Sequence, residues 1–75
     1  MKFPNKVISY KESILSKLTV LLDFLNGKDM SLIELYYDTQ KYFFDISEFI
    51  DAIDCLFMLN KIEYNEDLEV LHYVS

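Results

Sequence analysis

Lys61-Ile62-Glu63-Tyr64-Asn65-Glu66-Asp67-Leu68-Glu69-Val70-Leu71-His72-Tyr73-Val74 is the stretch in which the hydrophobic period of this chain changes. Lys61 to Tyr64 alternates polar with apolar, Asn65-Glu66-Asp67 is turn chemistry, and Leu68 to Val74 returns as an extended apolar run. The segment therefore reads as a β-hairpin over about 61–74. What comes before this hairpin decides the fold.

Working back from it, one start signal occurs three times. Ser9 with Glu12, Ser31 with Glu34 and Asp45 with Glu48 each place an oxygen acceptor at an N-cap and a glutamate three residues later. That pairing satisfies orphan amides and suits the helix dipole. It predicts helices over about 10–26, 32–43 and 46–59, after an extended N-terminal arm over 1–8. The first helix carries Leu15, Leu18, Leu22 and Leu25 as a stripe that Ile14 and Leu21 widen, and Asn26-Gly27 stops it. The second has Leu32, Leu35, Tyr36 and Phe43 at helical spacing; the third has Phe49, Ile50, Ile53, Leu56 and Phe57, with Asn60 to close it. Helix, helix, helix, hairpin is the order of a winged helix. The expected fold is mainly α with a C-terminal β-hairpin, α+β in class, as one winged-helix-like three-helix domain over 1–75. Winged helices serve DNA binding and protein assembly alike, so the fold alone does not select a function.

Size and composition select further. A 75-residue chain hides roughly 60% of the surface its unfolded form exposes, so its core is marginal without reinforcement. Cys55 is the single cysteine, which excludes an intramolecular disulfide or a cysteine-based zinc site and fits a reducing, cytoplasmic compartment. A partner chain is the reinforcement left. With 52% apolar residues and one glycine and one proline, more apolar surface is present than so small a core can take. No apolar run exceeds Cys55 to Leu59, so neither a membrane span nor a signal peptide is expected.

The net charge is −6 and every base is lysine, so the forked guanidinium that reads guanine is missing. Five lysines face two acids from Met1 to Lys28, whereas two lysines face eleven acids from Asp29 to Ser75. In a DNA-reading winged helix the third helix enters the major groove. Here its polar row is Glu48, Asp51 and Asp54, behind Asp45, and the hairpin adds Glu63, Glu66, Asp67 and Glu69. Such rows repel phosphates. They read either as a solvated face that keeps an apolar protein soluble or as an electrostatic dock for a basic partner, and both readings disfavour nucleic acid.

The aromatics place the surplus. Tyr42, Phe43 and Phe44 are consecutive and neighbours on a helix diverge by about 100°, so at least one ring is expected outside the core. In the last strand Leu68, Val70, His72 and Val74 share one face, while Leu71 and Tyr73 share the other beside Glu69. Apolar groups on both faces call for cover on both, from a folded-back Phe3, Val7 and Ile8 or from a partner.

Chemistry is sparse. His72 is the only histidine, no serine or cysteine has an evident base near it, and one glycine cannot make a phosphate-cradling loop. Asp51 with Asp54, or Glu66 with Asp67 and Glu69, match no calcium-loop spacing. Cys55 reads as a packed thiol and His72 as a strand residue. No enzyme, cofactor or metal is expected.

Lys2-Phe3-Pro4-Asn5-Lys6-Val7 followed by Tyr10-Lys11-Glu12-Ser13, the segment Phe49 to Ile62, and Val70-Leu71-His72-Tyr73-Val74 resemble the small middle components of bacterial ABC-three component systems, specifically middle component 6. The resemblance spans nearly the whole chain. It implies a non-catalytic subunit beside an ABC or SMC-like ATPase and a larger effector, in systems that defend bacteria against phages and plasmids. No functional motif carries over from it. The expected function is an adaptor whose buried aromatics give affinity and whose charges set orientation. The anchors expected from exposure are Phe3, Tyr37, Phe44, Leu71 and Tyr73, with Glu48, Asp51 and Asp54 as steering charges. The alternatives are a winged-helix transcriptional regulator and an acidic, antitoxin-like inhibitor. A homodimer through the hairpin edge is also open.

Overall fold

The computed structural model describes residues 3–74, with side chains from Tyr10 onward. Three helices, α1 (Phe3–Leu25), α2 (Leu32–Thr39) and α3 (Ile46–Met58), are followed by an antiparallel hairpin of β1 (Ile62–Asn65) and β2 (Val70–Tyr73). This is the expected α+β, winged-helix-like order. Its register pairs Ile62 with Tyr73 and Tyr64 with Leu71. On its other side, Leu71 pairs with Met30: the Leu71 N–H donates to the Met30 carbonyl at 2.6 Å and the Met30 N–H donates back at 3.3 Å. The hairpin is thus stitched to the α1–α2 connection, the usual place of a winged helix's short third strand.

Helix α1 begins seven residues before its expected start. Residues 3–8 are helical, not an extended arm, and Ser9 lies inside the helix, six residues past its start. Pro4 explains this: its fixed φ is preset for the first helical turn, where a missing N–H costs no hydrogen bond. The helix ends as expected, with Gly27 at φ 78°. Its buried row is Ile14, Leu18, Leu21 and Leu25, while Leu15 is exposed and Leu22 only half-buried. The core stripe is therefore rotated by one residue from the all-leucine reading.

Helix α2 starts on a complete capping box. The Ser31 hydroxyl accepts from the Glu34 N–H and the Glu34 carboxylate accepts from the Ser31 N–H, each at 3.1 Å. It stops at Thr39, short of the expected Phe43, and a single 3-10 turn covers Gln40–Tyr42. The Thr39 hydroxyl donates back to the Leu35 carbonyl at 2.6 Å, an alternative to continued helix that suits the weak helix formers Asp38 and Thr39. Phe43 then turns extended, at φ −115° and ψ 147°.

Helix α3 is capped by Asp45, whose carboxylate accepts from the Glu48 N–H at 3.0 Å, and it closes near Asn60 at φ 58°. It buries Phe49, Ala52, Ile53 and Leu56 in one core with Leu21, Leu25, Leu35 and Leu71. Phe49 is the hub, with Phe43 edge-on at 5.4 Å and Tyr36 at 5.0 Å between ring centroids. Residues 66–69 form the hairpin turn, where the Asn65 side chain accepts from the Leu68 N–H at 3.1 Å. Leu68 therefore belongs to the turn and not to the strand. Among the described residues, no helix is long and apolar enough to cross a membrane.

Candidate interaction surface

The expected interface residues divide into three groups. Leu71 is 2% exposed and belongs to the core, beneath the hairpin and against Met30. Its strand face is the inner one, so it is withdrawn as a partner anchor. Tyr73, on the same face, is half-buried and packs against that core. Phe3 lies in the first turn of α1, and its side chain is outside the described set.

Glu48 also departs from expectation. It is 6% exposed and cannot steer a partner from the surface. One carboxylate oxygen accepts from Lys17 Nζ at 2.6 Å and from the Phe44 N–H at 2.8 Å; the other accepts from the Ser13 hydroxyl at 3.3 Å. Burial alone would raise its pKa, but the bonds from Lys17, Phe44 and Ser13 together outweigh that and hold it below the ordinary glutamate value. Lys17 in turn lies 5.4 Å from the Phe43 ring centroid. This cluster pins α1 to the start of α3 and fixes the backbone at Phe44. The hydrogen bond to Phe44 lies one residue beyond the cap, a position that spacing alone does not reveal.

The third group is exposed. Phe44, held at its amide by Glu48, leaves its ring 94% exposed, and Tyr37 is 66% exposed. The consecutive aromatics thus part as expected, Phe43 inward and Phe44 outward. Asp51 and Asp54 are exposed on α3. Asp51 accepts from the Tyr10 hydroxyl at 2.5 Å, and this bond, then partial desolvation and the surrounding carboxylates, pushes the Tyr10 pKa up to about 12. Asp54 is exposed and has no hydrogen-bond partner among the described residues.

Between α2 and α3 runs a groove of about 440 Å³ lined by Leu32, Ile33, Tyr37, Ile46, Phe49 and Ile50, among others. Ile33 is 69% exposed, and Ile46 and Ile50 are also exposed. Sequence reading missed Ile33 and Ile46 and assigned Ile50 to the core. The available signal was the inward row of Leu35 and Thr39, which leaves Ile33 and Tyr37, four residues apart, on a second ridge. Among the described residues no cluster of three or more His, Cys, Asp or Glu side chains suits a metal ion.

Residues 3–71 match the family described as ABC-three component (ABC-3C) system Middle Component 7. The chain belongs to that family. The match supports the expectation of a middle component of an ABC-three component system, and the number it carries is seven where the sequence resemblance pointed to six. No curated protein and no solved structure matches the chain. As a Middle Component 7 protein it is one part of a multi-subunit system, which accords with an accessory role and protein partners. Against that background the α2–α3 groove is an exposed apolar surface with no cover among the described residues.

Proposed function

We propose that this Middle Component 7 protein is a non-catalytic adaptor that joins an ABC or SMC-like ATPase to an effector subunit, within a cytoplasmic bacterial defence against phages and plasmids. The observation that carries this reading is the concentration of exposed apolar side chains, Ile33, Tyr37, Phe44, Ile46 and Ile50, on α2, α3 and the connection between them, in a chain whose family works in assemblies. Apolar groups gathered in this way on a domain with so small a core gain most when another chain covers them. Tyr37 and Phe44 are the anchors, and Asp51 and Asp54 are the charges that orient the partner. The same acids on the outer face of α3 oppose a duplex at the position where a DNA-reading winged helix requires cations.

Tagged purification after expression from the native operon, with mass spectrometry of the eluate, tests the proposal. The ATPase and the effector are expected to co-elute, and Phe44→Ser and Tyr37→Ser variants to lose at least one of them. A chain that elutes alone as a stable monomer, or with a nuclease or polymerase and no ATPase, overturns the adaptor reading.

A further inference from the structure

Helical spacing arranges the surface around the α2–α3 groove into stripes. On α2, Ile33 and Tyr37 form an apolar ridge, and Glu34 and Asp38, one residue on in each case, form an acidic ridge beside it. On α3, Ile46 and Ile50 line the groove, and Asp54, four residues after Ile50, continues their row, while Asp51 turns to Tyr10 of α1. By helical spacing the exposed acids Glu34 and Asp38 on α2 and Asp54 on α3 neighbour this apolar lining. From Asp29 to Asn60 the only base is Lys41, against seven acids, of which Glu48 is already paired with Lys17. Lys41 lies 5.3 Å from the Tyr42 ring centroid, beyond the end of α2. Neither α2 nor α3 carries a lysine of its own.

We infer that the groove between α2 and α3 receives a basic amphipathic helix of a partner subunit, with an apolar row seated between Ile33, Tyr37, Ile46 and Ile50 and flanking lysines or arginines facing Glu34 and Asp38 on one side and Asp54 on the other. The inference rests on the adaptor reading and gives its partner a chemistry. A helix presents apolar residues at intervals of three and four with polar residues on both sides, which matches an apolar channel between two charged margins. An acidic or uncharged segment would meet the same apolar floor but leave the carboxylates facing like charge or nothing, so the margins select sign as well as shape.

The test uses the full chain expressed with the other subunits of its operon, with the photo-crosslinker p-benzoylphenylalanine placed at position 33 or 37. Positions 15 and 68, exposed leucines away from the groove, serve as controls. Adducts are expected at 33 and 37 and not at 15 and 68. The crosslinked segment is expected to carry apolar residues at helical spacing flanked by lysine or arginine. Asp38→Lys combined with Asp54→Lys, both exposed and neither a helix cap, is expected to lower adduct yield about tenfold, with a similar fall in high salt. Adducts with a second copy of this chain, with an acidic or uncharged segment, or only at the control positions overturn the inference. If the subunits co-purify but 33 and 37 give no adduct, the groove assignment fails while the adaptor reading stands. If nothing co-purifies, the adaptor reading fails and the groove assignment with it.

Discussion

Glu48 shows what a single residue position can hide. Its place three residues after Asp45 on an acidic row made it look like a surface charge, yet it is buried and takes hydrogen bonds from Lys17, Ser13 and Phe44. Those contacts join α1 to α3 across 31 and 35 residues of chain, a distance over which local spacing carries no information. Glu48→Gln keeps the shape but leaves Lys17 without its counter-charge, and is expected to cost about 1–3 kcal/mol in denaturant unfolding at neutral pH. Because the folded-state pKa lies below the ordinary 4.5, this stabilisation is present above pH 4.5 and lost as pH falls through the lower folded value. The difference between wild type and variant should therefore narrow in acid. His72 follows the opposite sign. Its Nδ1 is 2.8 Å from Asp29, and the hydrogen bond to that carboxylate, then its charge, raises the imidazole pKa above 6.5. Any stabilisation from this exposed pair is present below pH 6.5 and lost as pH rises through the elevated value. Titration of His72 followed by NMR is expected to shift downward in Asp29→Asn; an unchanged midpoint in that variant contradicts the assignment.

At the scale of elements, the sequence was most legible where a local chemical device ends or begins a helix. The Ser31–Glu34 box, the Asp45 cap, Gly27 and Asn60 all act as their residue types predict. It was least legible where tertiary packing chooses among equivalent apolar residues. Leu15 and Ile14 are equally good core candidates by composition, and only the approach of α3 makes Ile14 the buried one. The same holds for Leu71, whose burial depends on a backbone pairing with Met30, 41 residues earlier. The hairpin turn gives a sharper test. Glu69 sits at φ 55°, a left-handed conformation in which a non-glycine residue is strained by roughly 1 kcal/mol. Glu69→Gly is expected to raise stability by about 0.5–1 kcal/mol, offset only in part by the entropy of the unfolded chain. A destabilised Glu69→Gly protein would mean that the turn has another geometry.

For the whole molecule, the surplus of apolar residues over available core is evident from composition, and Phe44 and Tyr37 are exposed. Its organisation into a groove between acidic margins is not evident there, because that depends on the rotation of α2 and α3 about their axes. The charge of −6 is borne mainly by the half of the chain from Asp29 onward, where a duplex-binding domain needs bases. Fluorescence-anisotropy titration at low salt, where electrostatic attraction to DNA is strongest, is accordingly expected to show no binding to a DNA duplex. The adaptor account is tested most directly by co-expressing the ATPase and effector with and without this chain and weighing the resulting particles by native mass spectrometry. It predicts one particle containing all three chains, and separate ATPase and effector when this chain is omitted or carries Tyr37→Ser with Phe44→Ser. ATPase and effector that associate equally well without it would contradict the account.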